Sequence, residues 1–122
     1  MRFAEVAITS TEVASMRARN LKRDALAELL SRATPSEVAV VVGFLTGQLR
    51  QGRIGVGWRT LAAAEEAAPS PASTATLAVL DVDRAFSSLA ALHGPGSSTE
   101  RRQMLARLVA TATAPERDLL RA

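Results

Sequence analysis

Residues 22–41, K-R-D-A-L-A-E-L-L-S-R-A-T-P-S-E-V-A-V-V, align without a gap on residues 101–120, R-R-Q-M-L-A-R-L-V-A-T-A-T-A-P-E-R-D-L-L. A basic pair falls on a basic pair, Leu26 and Leu29 fall on Leu105 and Leu108, and Thr34 and Glu37 fall on Thr113 and Glu116. Self-similarity over one supersecondary unit means that each copy folds alike and hides its apolar face against its neighbour. A duplicated helix-turn-helix packed about a pseudo-twofold is therefore expected. The second copy stops short of any counterpart to residues 47–57. That gap reads as a truncated repeat, a fragment of a longer protein.

The local signals inside the repeat are helical. Residues 9–12, 34–37, 97–100 and 113–116 all have the S/T-x-x-E form, in which a hydroxyl and a glutamate satisfy the orphan N–H groups of a helix start. The second of them carries Pro35 at the first helical position, where its missing N–H costs nothing. A first helix is expected over about residues 10–19. A second is marked by Leu21, Ala25, Leu29 and Ala33, widened by Leu26 and Leu30. The third starts behind Thr34 and runs to Arg50. Four valines in five residues there favour a strand, but Val38, Val41, Val42, Leu45 and Leu49 share a helical stripe. With Val40 and Phe44 it is apolar on nearly all sides, and is expected to be the central, most buried helix. Residues 58–66 read as a fourth helix, residues 77–80 are short enough to be extended, and Asp81 caps a helix that ends at His93. Two more helices follow the boxes at 97 and 113.

The fold class expected is thus all-α, one compact multi-helix domain over residues 1–122. Its first repeat covers about 10–67, a linker with Pro69 and Pro71 about 68–76, and an incomplete second repeat about 77–122. Composition agrees: 48% of residues are hydrophobic but only 3% aromatic, so the core is built from Ala, Leu and Val. With no cysteine, disulfides and thiolate metal sites are excluded. The N-terminus has no secretory apolar region and the longest apolar run, residues 38–45, is far short of a membrane span. A soluble cytoplasmic protein, with no membrane partner, is expected.

Residues 47–61, G-Q-L-R-Q-G-R-I-G-V-G-W-R-T-L, interleave Arg50, Arg53 and Arg59 with Gly52, Gly55 and Gly57. Glycine lets a backbone approach another surface closely, and arginine offers a planar fork of donors that fits phosphate. Two readings stand side by side: a phosphate-backbone contact at a helix end, or a glycine-rich helix cap with solvated arginines. The net charge of +3 permits nucleic acid without requiring it.

The chain resembles the N-terminal DNA-binding domain of ATP-dependent DNA ligases, in particular their bacterial, actinobacterial-type branch. The likeness is carried by V-A-I-T-S at 6–10, L-A-E-L-L at 26–30, A-x-P-S-E-V-A-V-V-V at 33–42 and G-Q-L-R-Q-G-R-I-G-V-G-W at 47–58. D-V-D-R-A-F at 81–86, G-x-G-S at 94–97 and R-R-x-x-L at 101–105 add to it. The resemblance implies an all-helical, pseudo-symmetric domain, longer than this chain, that grips nicked double-stranded DNA through phosphates and sugars in the minor groove. Separate nucleotidyltransferase and OB-fold domains would do the chemistry. Arg50, Gln51, Gly52, Arg53, Gly55 and Gly57 would form the DNA-facing loop, positioning the protein rather than reading sequence. ATP and Mg would be needed only by the catalytic domains of the parent ligase, and none in this chain. Repair, replication and recombination, on the nucleoid, are the implied setting.

No catalytic residue and no metal site is expected here. Lys22-Arg-Asp24-Ala25 is a partial K-x-D-G, but it lies on a helical stripe and lacks the lysines and carboxylates that adenylate transfer requires. His93 stands alone beside Gly94 and reads as a loop residue. Trp58 fits either an anchoring core role or stacking on a nucleotide. Two rival functions remain: a helical protein-protein interaction module, and a sequence-specific helix-turn-helix regulator whose recognition helix would be residues 34–50. That helix carries few side chains able to read bases.

Overall fold

Four of the helices begin with one device. At the start of α1 (Phe3–Ser15), α3 (Pro35–Thr46), α5 (Val79–Ala91) and α7 (Ala114–Arg121), a carboxylate at the third helical position reaches back to the N-cap backbone N–H. The bonds are Arg2 N to Glu5 (2.9 Å), Thr34 N to Glu37 (2.8 Å), Ala78 N to Asp81 (2.9 Å) and Thr113 N to Glu116 (2.7 Å). Each satisfies a donor the helix cannot and places negative charge at its positive end. Between them run α2 (Arg19–Ser31), α4 (Trp58–Ala67) and α6 (Ser97–Thr111). These seven helices, with no strand among the described residues, come from a computed structural model that describes residues 1–52 and 58–121, leaving out the Trp58 side chain.

The halves meet at an antiparallel bridge between Arg2 and Ala78, in which Phe3 N donates to Leu77 O (2.9 Å) and Val79 N to Met1 O (3.0 Å). Such a bridge has a local twofold, so α1 and α5 leave it as mates. The packing follows suit: α1 lies on α7 as α5 lies on α3, and α1 on α2 as α5 on α6. All three phenylalanines meet in the middle. The Phe3 and Phe44 ring centroids are 5.1 Å apart and those of Phe44 and Phe86 5.9 Å, both edge to face, the arrangement that ring quadrupoles prefer. Val6, Leu29, Val41, Val79, Val82 and Leu89 close around them. A smaller cluster of Leu61, Leu105 and Val109 fastens α4 to α6. Between α4 and α5 the chain is held by Arg117, 7% exposed, which donates to Val109 O and Pro69 O, both at 3.0 Å.

Several expectations are corrected. The first helix starts at Phe3 and not near residue 10. Its cap residue, Arg2, is not a capping type, while Thr9 lies buried mid-helix and caps nothing. At 97–100 no box forms, because Gly96, with φ 84°, takes the cap position and makes Ser97 the first helical residue. Asp81 sits three residues inside its helix, which Ala78 caps and which ends at Ala91, before His93. The third helix stops at Thr46, where Gly47 adopts φ 75°, a conformation that costs glycine nothing. No other helix buries a larger share of its described residues, as expected, but it is not enclosed on all sides. Its packed side is Glu37, Val40, Val41 and Phe44, whereas Val38 and Val42 are 37% and 39% exposed. The helix with the most packing partners is α1, which lies on α2, α3 and α7. Leu21, placed on the apolar stripe of α2, is 57% exposed.

Candidate nucleic-acid interface

Beyond Gly47 the chain turns back on itself. Gly52 N donates to Leu49 O at 2.9 Å, closing a turn whose two central residues are Arg50 and Gln51. Gly52 takes φ 69° and has open space around it. The turn lies close against α3 because residue 43 is glycine: a Cβ there would meet Gln48 O at 2.9 Å and Leu49 Cα at 3.5 Å. Both contacts are with backbone, so a side chain at Gly43 would push the whole turn outward.

The two central side chains converge on one face of α5. Arg50 Nε lies 3.2 Å from Asp83 Oδ1, and its Nη2 lies 2.8 Å from Asp83 Oδ2 and 2.9 Å from Ser87 Oγ. The Gln51 amide nitrogen is shared among Asp83 Oδ1 (2.7 Å), Asp83 O (2.9 Å) and Ser87 Oγ (2.9 Å). Asp83 and Ser87 are four residues apart and so share one helix face. The Asp83 side chain is 11% exposed and that of Arg50 53%, so the pair is buried at its acidic end and open at its basic end. Burial pushes the Asp83 carboxyl up, but the hydrogen bonds from Arg50 and Gln51 and the charges of Arg50 and Arg84 outweigh it and hold the carboxyl below its ordinary value. The same pairing raises Arg50 further.

Of the six candidate loop residues, Arg50, Gln51 and Gly52 are brought together in this turn. Arg53, Gly55 and Gly57 lie outside the described residues. The arginine is not loosely solvated, as the cap reading expected, but seated on a carboxylate. Sequence reasoning missed Asp83, Ser87 and Gly43. The D-V-D-R-A-F segment was visible, but only the fold shows which residue its second aspartate answers. Elsewhere, Lys22 is half-buried on α2, and His93 is exposed with Nδ1 2.9 Å from Ala91 O. No cluster of three or more metal-ligating side chains occurs among the described residues. A cleft between α1 and α2 is rimmed by Glu5, Glu12 and Glu28 with Arg32, the wrong sign for phosphate. No helix among the described residues is long and apolar enough to cross a membrane.

The carboxylates make the fold acid-sensitive in a defined direction. Glu37 is held below its ordinary value of 4.5 chiefly by the hydrogen bond from the Met1 ammonium (2.7 Å), then by Thr34, against burial. Asp81 is lowered by the Ala78 N–H, and Asp83 as above, from an ordinary 3.8. Groups lowered on folding stabilise fully above their unfolded values, and that stability is lost as pH falls through the folded ones. The urea midpoint should therefore hold from pH 7 to about 5 and then fall steadily below about 4.5. Glu37→Gln should remove part of that slope.

No family model matches the chain, and no solved structure matches it. Curated relatives do. It is 48% identical over 121 residues to a protein of Beutenbergia cavernae named "Probable DNA ligase", covering 99% of this chain and 23% of that one. It is 48% identical over 122 residues to a protein of the same name from Streptomyces griseus, covering 100% and 23%. A third, from Sorangium cellulosum, is 46% identical over 118 residues, covering 97% and 22%. The chain thus corresponds to a segment spanning less than a quarter of the relatives it matches.

Proposed function

We propose that this chain is the DNA-binding domain of an ATP-dependent DNA ligase, gripping nicked duplex DNA without sequence preference through phosphate and minor-groove contacts. The observation that carries the reading is the end-to-end likeness to one segment of proteins named DNA ligase. Such an enzyme must hold its duplex in register while chemistry proceeds, and phosphate contacts from arginine and backbone N–H groups do that. The turn at residues 49–52 supports the assignment, with a half-exposed Arg50 fixed in orientation. On this reading the nucleotidyltransferase and OB-fold domains of the parent, with ATP and Mg, would carry the reaction.

The test is fluorescence anisotropy of the purified chain with nicked and intact duplexes across salt. Affinity should fall linearly on a log-log plot. Arg50→Ala should weaken binding and flatten that slope by about 0.9, the value of one phosphate contact. A second reading, a helical protein-interaction module, rests on the exposed Val38, Val42 and Leu21. It predicts no binding to nicked duplex even at low salt. Preference for one operator over random duplex would instead favour a helix-turn-helix regulator. The exposed face of α3, with Ser36, Val38, Ala39, Val42 and Thr46, carries no Arg, Lys, Asn or Gln to pair bidentately with base edges.

A further inference from the structure

Arginine has five N–H donors in a rigid fork, and the fold engages three of them in Arg50. Nε and one N–H of Nη2 go to the two oxygens of Asp83, and the other N–H of Nη2 goes to Ser87. Nη1 has no hydrogen-bond partner among the described residues, and the side chain is 53% exposed. A guanidinium held by its inner edge on a buried carboxylate, with its outer donors unspent, is oriented rather than neutralised. Gln51 bonds the same carboxylate, its amide nitrogen 2.7 Å from Oδ1, the oxygen that Arg50 Nε also reaches at 3.2 Å.

The two halves of the fold differ at this point. With the N-caps Arg2 and Ala78 set in register, Val6 falls on Val82, both fully buried. Ala7 then falls on Asp83. In α1 that position is an apolar residue 1% exposed, on the helix that packs against α7; in α5 it is the acid that seats the turn. An acid there is not what the repeated architecture requires for packing, since an alanine serves the same position in the other copy.

We infer that Asp83, assisted by Ser87 and Gln51, is a positioning residue for DNA binding: it pre-orients Arg50 so that its outer donors meet a phosphate oxygen without first having to be ordered. The inference rests on the proposed function and deepens it. Its consequence runs against simple electrostatics. A carboxylate near a polyanion repels it, so deleting that charge should tighten binding if Asp83 did nothing else. If Asp83 positions Arg50, deleting it loosens binding by roughly two- to tenfold, the ordering penalty of one long side chain at an interface.

The experiment is a double-mutant cycle on the 122-residue chain with nicked duplex, using Asp83→Asn, Arg50→Ala and the pair. Thermal unfolding of each variant confirms that it is folded. Asp83→Asn should weaken binding when Arg50 is present and leave it unchanged or slightly tighter in the Arg50→Ala background, a dependence on Arg50 that a general loss of structure cannot give. Ser87→Ala, which keeps the charge and removes one acceptor, should weaken binding by a smaller factor and gives the same reading if Asp83→Asn does not fold. Tighter binding by Asp83→Asn, equal weakening in both backgrounds, or no effect of Ser87→Ala where Asp83→Asn is unfolded would overturn the inference. So would Arg50→Ala binding as the parent does, although duplex binding itself would then stand. Absence of any binding to nicked duplex would instead overturn the proposed function.

Discussion

Phe44→Ala is expected to lower the unfolding free energy by about 4 to 5 kcal/mol, the upper part of the range for deleting a buried phenylalanine. Phe44 is the middle ring of three, edge to face with Phe3 on one side and Phe86 on the other. Its loss opens a cavity and removes two aromatic contacts, each worth about 0.5 to 1.5 kcal/mol beyond area burial. It is also the point where α1, α3 and α5 meet, so no single helix can shift to fill the space without leaving another. A small domain has only about 5 to 15 kcal/mol of stability in total, so this one substitution removes a large fraction of it. Phe44→Leu keeps most of the volume and should lose about 1 to 2 kcal/mol. Urea denaturation followed by far-UV circular dichroism measures both. A loss below about 1 kcal/mol for Phe44→Ala would mean that the three rings are not the centre of the core.

What the sequence revealed and what it hid divide along a physical line. Helix existence was legible for all seven helices, although α1 was placed several residues late, because apolar spacing and the acid three residues into α3 and α7 are local properties. Helix starts were legible at α4 and where a capping-type residue, Thr34 or Thr113, stood ahead of the helix. Arg2 and Ala78 are not of that type, yet their helices begin by the same carboxylate device, because what matters is the acceptor at the third position and not the cap side chain. The extent of α3 was misjudged because valine-rich periodicity ran on past Gly47, whose left-handed backbone ends the helix. Burial was misjudged for Val38 and Val42, since a helix apolar on all sides does not reveal which side finds a neighbour.

The candidate site was half legible. The arginine and glycine pattern pointed to residues 49–52, but a sequence cannot show that Arg50 reaches across 33 positions to Asp83. That pairing is a tertiary fact. It turns a flexible cation into a fixed one, and it depends in turn on Gly43 giving the turn room against α3. The core, the turn and the candidate site are therefore one mechanical unit: Phe44 sits beside Gly43, and Phe86 beside Ser87.

For the contact of α4 with α6 the repeat gives a paired prediction. Leu26 on α2 and Leu105 on α6 occupy equivalent positions in the duplicated sequence. Leu105 is 2% exposed, packed with Leu61 of α4 and with Val109. Leu26 is half-buried and belongs to neither core cluster. Leu105→Ala should therefore cost about 3 kcal/mol, the usual size for a buried leucine that leaves a cavity, while Leu26→Ala should cost under about 1 kcal/mol. The difference has a consequence beyond stability. Leu61, Leu105 and Val109 hold α4 on α6, while the ion pair of Glu65 with the half-exposed Arg121 at 2.8 Å ties α4 to α7, and such a pair is worth little by itself. Weakening the cluster frees α4. Leu105→Ala should then increase amide hydrogen exchange in residues 58–67 under native conditions, at denaturant concentrations where α1 and α3 remain protected, whereas Leu26→Ala should leave exchange in that segment unchanged. Equal costs for the two leucines, or a loss of protection spread evenly over all helices, would show that α4 is not held as a separate unit by its contact with α6.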